Sequence, residues 1–292
     1  MSAKKIASEC GTEFFAKNSI AGFRNCLAIG VDGVEFDVHL TADNKVVVQH
    51  DDKLNKNITR HSNGEWIAKS GPALCDMTSA QLAEYDIGRY RPESTEAKSY
   101  PNYQAVDGAP IPHLSDFVNL LSESGQPIEL WIELKTSPFN RSTSSDPEKL
   151  LDEVLNQVES NNLTRQTVLL AFEWDLLVLA KQRVPDIQTN FLTINETTLQ
   201  QLMRRHGEVD PGLLYGQFHP KDFGNCFATA IANAGGDYWG PWIQDVAKKD
   251  VDHARKVGVL TNLWGVEGNK SALDAAKALG ADAITTSNPT LI

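Results

Sequence analysis

Short runs of β-branched and aliphatic residues recur along the chain, each followed by a longer stretch whose apolar positions fall at helical spacing. Nine runs read as strands: residues 5–8, 34–38, 46–49, 128–134, 167–171, 188–192, 237–239, 258–263 and 283–285. Most of the intervals read as amphipathic helices. Asn18 is placed to open one and Gly30 to close it. Asp146-Pro147-Glu148 is a strong helix start, with a side-chain cap, a proline at the first helical position and an acid in the first turn. Gly125, Gly207 and Gly280 fall where helices should stop.

Strands that alternate with helices imply a parallel sheet. The 292 residues suit one (β/α)₈ TIM barrel, which typically takes about 250. The expected fold class is therefore an α/β barrel, with a single domain over residues 1–292. Nine strand candidates are one more than a barrel needs, and 237–239 is the shortest. An open doubly wound sheet remains the rival architecture. Residues 51–111 break the rhythm with Gly, Pro, Asn and Ser clusters around one short helix near 79–85. They read as a long βα insertion after the third strand, placed to build the barrel mouth.

Composition narrows the function classes. A hydrophobic content of 41% supports a sizeable core, and no apolar run reaches the roughly 18 residues of a membrane span. The net charge of −11 argues against nucleic acid as a partner, because a phosphate backbone needs a basic footprint. A small anionic substrate stays possible if a local cation overcomes the general field. Cys10, Cys26, Cys75 and Cys226 show no CxxC spacing and read as reduced thiols of a cytoplasmic protein. The first residues carry two lysines but soon meet Glu9 and Glu13, which does not read as a secretory signal.

The chemistry concentrates in a few acids. In Val34-Glu35-Phe36-Asp37-Val38, side chains alternate, so Glu35 and Asp37 share one face and the apolar residues the other. Glu133-Leu134-Lys135 ends an apolar strand in the same manner, with Glu133 and Lys135 on one face. Three convergent carboxylates, Glu35, Asp37 and Glu133, form an all-oxygen site of the kind that holds Mg²⁺ or Ca²⁺. The plainer alternative is that they are surface residues at strand ends, against which their apolar flanks argue. His50 follows Val46-Val47-Val48-Gln49 at a strand's C-terminal end, where a barrel gathers its acid/base groups, although a histidine there also serves as a capping or packing residue. Lys135 could neutralise a bound phosphate or simply pair with Glu133 or Glu35. Glu173, Gln217, His219, Asn262 and Trp264 are further rim candidates, with Trp264 either a stacking face or mouth packing.

Taken together these motifs resemble the glycerophosphodiester phosphodiesterase family. Its pattern runs H-R-G, P-E-N-T, E-x-D, V-V-x-H-D and E-x-K, then a W-T-V-N stretch and an I-T-D-x-P stretch. Here Gly11 matches the glycine, and Lys17-Asn18-Ser19 stands where P-E-N-T ends. Glu35-Phe36-Asp37, Val47-Val48-Gln49-His50-Asp51 and Glu133-Leu134-Lys135 match closely. Asn262-Leu263-Trp264-Gly265-Val266 and Ile284-Thr285-Thr286-Ser287-Asn288-Pro289 resemble the last two. The resemblance implies one divalent cation on Glu35, Asp37 and Glu133, His50 as an acid/base group and Lys135 as a phosphate contact. It implies a small phosphodiester as substrate, split by a substrate hydroxyl or water into an alcohol and glycerol phosphate, and a role in lipid and glycerol metabolism.

The chain departs from that pattern at strand one, where Glu9 and Cys10 stand in place of histidine and arginine. Losing Arg and replacing a neutral His by Glu makes the pocket about two charges more negative than the pattern. Three readings follow. Glu9 serves as the missing acid/base group, with a pKa raised by its carboxylate neighbours; or Glu9 is a fourth cation ligand; or catalysis has been lost or redirected, leaving a binding or scaffold protein or an enzyme for a less charged, sugar-like substrate. Cys10 in such surroundings would be a poor thiolate and is expected to be a packing residue.

Overall fold

The computed structural model describes residues 2–194, 199–200, 212–266 and 268–292. Eight parallel strands form a closed barrel: β1 (Lys4–Ala7), β2 (Gly33–Leu40), β6 (Glu129–Leu134), β7 (Thr167–Ala171), β8 (Gln188–Thr193), β9 (Tyr238–Pro241), β10 (Leu260–Val266) and β11 (Ala283–Thr286). Pairing of β1 with both β11 and β2 closes the ring, so the open-sheet alternative falls. Residues 237–239, the weakest strand in the sequence, lie on β9, a true stave. The ninth strand is β3 (Val46–Val48), which is antiparallel to β2 through Val38↔Val48 and Leu40↔Val46. Periodicity cannot distinguish a stave from a returning hairpin arm, because both alternate with a period of two.

Helices cover the staves. Helix α1 (Ile20–Ile29) ends at Gly30, whose φ of 69° fits the left-handed cap, and its amide donates to the Cys26 carbonyl. The opener is Ser19, which accepts from the Gly22 amide, rather than Asn18. Asn18 is drawn off to the acidic site. Helix α4 (Leu114–Ser124) stops at Gly125, and the helix Lys270–Leu279 stops at Gly280. Helix α5 (Pro147–Ser160) starts on Asp146, which accepts from the Lys149 amide. Gly207 lies outside the described residues.

Two cores result from strand alternation. Val34, Phe36 and Val38 point outward beneath the helices, where Phe36 meets Phe117 edge-on at 4.8 Å and Phe117 stacks on Phe23 at 4.4 Å. Inside the barrel, Ile6, Trp131, Val168, Leu170, Leu192, Tyr238 and Ala283 form a separate apolar plug. Below it, Lys4 pairs with Glu129 at 2.6 Å and donates to the Tyr238 hydroxyl. The plug separates Glu129 below it from Glu35, Asp37 and Glu133 above it, toward the C-terminal rim.

Residues 51–111 carry a two-stranded antiparallel sheet, β4 (Arg60–His61) with β5 (Tyr85–Asp86), and two short helices, α2 (Ser79–Leu82) and α3 (Thr95–Ser99). Leu54, Ile67, Leu74, Met77, Leu82, Ile87 and Ile111 of this segment pack with Val47 of β3 in a separate apolar core. The Arg60 guanidinium forks onto Asp86 and reaches Asp107. No described helix is long and apolar enough to cross a membrane.

Candidate active site

The three acids converge. Register places Asp37 beside Glu133 and Glu35 beside Trp131 on adjacent parallel strands. Carboxylate oxygens of Glu35, Asp37 and Glu133 lie within 4.8 Å of one another. Glu35 and Asp37 are buried, and the Glu133 side chain is 13% exposed. Burial, then Asp37 and Glu133, push the Glu35 carboxyl well above its ordinary range. Burial also raises Glu133, against the pull of Lys135. Asp37 goes the other way: burial would raise it, but Lys135, His50, the Asn18 side-chain amide and Lys17 outweigh that and hold it below the usual range. An all-oxygen, mutually repelling and desolvated trio is a poor arrangement for free carboxylates and a good one for a hard divalent cation.

Strand ends and turns deliver the other groups. Lys135 follows β6, with Nζ 3.0 Å from Glu133 Oε1 and 3.6 Å from Asp37 Oδ1. Burial opposes its charge, but Glu133 and Asp37 hold its pKa above the ordinary lysine value. His50 reaches the site because β3 runs back down beside β2, and the Gln49 amide donates to the Asp37 carbonyl. Its Nδ1 lies 3.1 Å from Asp51 Oδ1, and Asp51 accepts from Asn55 Nδ2 on its other oxygen. Lys135 and burial pull the His50 pKa down, yet Asp37, the Asp51 bond and Glu9 outweigh them, so the net direction is up. The His50 side chain is 42% exposed and open to a ligand. Beneath it the buried His39, whose pKa burial lowers to about 4, lies with Nε2 3.3 Å from the His50 carbonyl; a neutral ring protonated at Nε2 donates there.

Strand one ends in a strained turn. Glu9, Cys10 and Gly11 all have left-handed φ, at 44°, 66° and 79°. Such geometry costs a non-glycine residue about 1–2 kcal/mol. Glu35 offsets part of it, accepting from the Glu9 amide at 2.8 Å and from Ser8 Oγ at 3.3 Å. The Asn18 amide donates to the Glu9 carbonyl, and Asn18 Nδ2 donates to Asp37 Oδ2 at 2.8 Å. The turn sends the Glu9 carboxylate to Lys17 Nζ at 3.3 Å, and Glu9 is not part of the 4.8 Å trio. Cys10 goes inward beneath α1, 1% exposed. Burial, then Cys26, Glu35, Asp37 and Glu9, push its thiol well above the ordinary range, as expected of a packing residue.

The remaining rim candidates divide. Buried Glu173 is paired with Arg141 at 2.7 Å and accepts from Thr136 Oγ1. Trp264 donates through Nε1 to the Gly240 carbonyl and stacks on Trp242, so it is mouth packing. Asn262 is buried, its Oδ1 accepting from Thr285. His219 sits against Tyr215, and Gln217 is exposed. Sequence reasoning assigned Lys17 no role, gave Asn18 only that of opening a helix, and gave Asp51 none beyond its place in the motif. The available signal was Lys17-Asn18-Ser19 standing where the pattern has P-E-N-T, a polar triad just before an apolar helix.

A closed parallel barrel with an acid trio, a lysine and a histidine at its C-terminal rim defines a class of barrel suited to cation-assisted chemistry on an anion. The model of the glycerophosphoryl diester phosphodiesterase family matches residues 10–291, and the chain belongs to that family. A Bacillus altitudinis glycerophosphodiester phosphodiesterase is 25% identical over 62% of this chain and 62% of its own length. The match thus spans about three-fifths of that relative. A mouse glycerophosphocholine phosphodiesterase is 26% identical over 69% of this chain but 32% of its own. Among solved structures, a Silicibacter pomeroyi protein provisionally named as a glycerophosphoryl diester phosphodiesterase superposes with a TM-score of 0.84 at 25% identity, covering 99% of this chain and 92% of that one.

Proposed function

We propose that the chain is a cation-dependent phosphodiesterase that splits a glycerophosphodiester into an alcohol and glycerol phosphate. The observation that carries this is the buried trio of Glu35, Asp37 and Glu133, with oxygens within 4.8 Å. Family membership supports the reaction class. These three residues would hold Mg²⁺ or Ca²⁺, and the ion would lower the cost of charge on a phosphoryl oxygen and on the attacking water. The protein's own groups do the rest. Lys135, fixed between Glu133 and Asp37, supplies positive charge next to a phosphate seated on the trio. Asp51 accepts from His50 Nδ1, which orients the ring and favours the doubly protonated form. Nε2 then has a proton to give to the departing alkoxide as the phosphorus–oxygen bond breaks.

Glu9, committed to Lys17 in this state, is a reserve base that an incoming substrate would release. Three contacts support the reading that residues 51–111 shape the mouth: the Tyr90 hydroxyl accepts from the Lys17 amide, the Gln104 amide donates to the Phe14 carbonyl, and Asp52 accepts from Thr143. The reading of lost catalysis rested on the missing histidine and arginine and on a pocket left too negative. The cation Lys17, in the glutamate place of P-E-N-T, argues against it.

The test is release of glycerol 3-phosphate from glycerophosphocholine, with and without EDTA. Turnover should need the divalent ion. Glu35→Gln should lower calorimetric Mg²⁺ or Ca²⁺ affinity and activity together by orders of magnitude. Unchanged ion binding in that variant would sink the assignment of the trio.

A further inference from the structure

We propose that Lys17 is the cation that bonds a substrate phosphate oxygen directly, exchanging Glu9 for it when the phosphodiester enters, while Lys135 supplies charge from its place between Glu133 and Asp37. The inference rests on the phosphodiesterase reading and names the residue that recognises the anion.

The geometry sets Lys17 apart from Lys135. Lys135 lies against two of the three acids that would hold the cation. Lys17 is within ion-pair distance of Glu9 alone among the described carboxylates, and Glu9 stands outside the trio. Both side chains of the pair are mostly covered, at 12% and 18% exposure. The backbone beneath Lys17 is held from two sides. Its amide donates to the Tyr90 hydroxyl in the insertion, and the next residue, Asn18, donates to Asp37. The backbone that carries the ammonium is thus tied to Tyr90 and Asp37 by bonds that do not involve the Glu9 carboxylate. Asp51 and Asp37 also lie within its field and sustain its charge.

Charge balance points the same way. In the family pattern a neutral histidine, an arginine and a glutamate stand at the strand-one and P-E-N-T places and sum to zero. Here Glu9, Cys10 and Lys17 stand there and also sum to zero. The two-charge deficit expected from strand one alone is therefore cancelled one helix-start later. Glu9, Glu35, Asp37, Asp51 and Glu133 face Lys17, Lys135 and a protonated His50, leaving two negative charges. A divalent ion cancels that, and the substrate anion then needs a cation that is free to turn to it. Lys135 is tied to the trio, whereas Lys17 need only give up one carboxylate.

Calorimetric titration of sn-glycerol 3-phosphate into the protein loaded with Mg²⁺ or Ca²⁺ tests this, alongside titration of the ion alone. Lys17→Met and Lys17→Gln should keep ion affinity but bind glycerol 3-phosphate about tenfold or more weakly, as for loss of a charge-assisted contact. Both should raise KM for glycerophosphocholine more than they lower kcat. Lys17→Arg should retain most of the affinity. Glu9→Gln, which releases the ammonium, should bind glycerol 3-phosphate at least as tightly as the parent. If Lys17 serves only to hold Glu9, then Lys17→Met and Glu9→Gln will lower thermal stability alike and neither will change phosphate affinity; that result overturns the inference while the phosphodiesterase reading stands. A parent protein that binds the ion but no glycerol 3-phosphate overturns both.

Discussion

Cys10 and Gly22 show how the strand-one turn is built. A Cβ on Gly22 would lie 2.7 Å from the Cys10 carbonyl oxygen and 3.1 Å from its Cβ. Only glycine lets α1 approach the turn that aims Glu9. Gly22→Ala should therefore cost about 1–3 kcal/mol in urea unfolding and weaken ion binding, because the displaced turn carries the amide that Glu35 accepts. Beside it, burial pushes the Cys26 thiol up to about 12. A thiol raised on folding contributes stability that is complete below its unfolded pKa of roughly 8.5 and lost as pH climbs toward 12. The stability of Cys26→Ala should consequently fall less steeply than the parent's between about pH 9 and 11 in urea titrations; parallel slopes would show that the thiol stays neutral in neither state or both. If His50 is the proton donor proposed above, His50→Gln should reduce kcat by about 10²–10⁴-fold, while calorimetry finds the ion bound as before.

At the scale of elements, the β2–β3 hairpin links the core to the site. One face of β2 holds Glu35 and Asp37, and the other is clamped by Phe36 against Phe117. Its neighbour β3 fixes the height of His50 by pairing Val48 with Val38. A cut in the outer core should thus be felt on the inner face. Phe36→Ala should lose about 3–5 kcal/mol, since a cavity forms in a fully buried aromatic cluster. In any folded fraction, Mg²⁺ affinity should also drop, which compares directly with an equally destabilising change far from β2. The element types were legible in the sequence because alternation on 34–38 and 128–134 is strong and bounded by clear helix caps. The direction of β3 was not, because pairing partners are set by contacts between segments and leave no mark on a single strand's period.

For the molecule as a whole, a net charge of −11 leaves the mouth dependent on local cations to admit an anion. Residues 51–111, packed with Val47 in a separate apolar core, bring Tyr90 to the backbone of Lys17. If this segment selects the head group, Tyr90→Ala should change the ratio of kcat/KM between glycerophosphocholine and glycerophosphoethanolamine by severalfold with ion affinity unchanged. An unaltered ratio would place substrate choice elsewhere on the rim.

The sequence alone was enough for the alternation of strands and helices, the inward face shared by Glu35 and Asp37, and the candidate roles of Glu133, Lys135 and His50. Each follows from local periodicity or from motifs whose order along the chain is itself informative. Tertiary structure decided the rest. Closure of β1 on β2 and the antiparallel course of β3 depend on pairings between residues far apart in the chain. The withdrawal of Asn18 from helix opening to bond Asp37, and of Cys10 to a place beneath α1, depends on what surrounds them. So does the meeting of Glu9 with Lys17: a left-handed turn at residues 9–11 aims the carboxylate, and the bonds of Lys17 to Tyr90 and of Asn18 to Asp37 place the ammonium. Charge can be counted along a chain, but whether two charges cancel depends on the distance between them, and only the fold sets that distance.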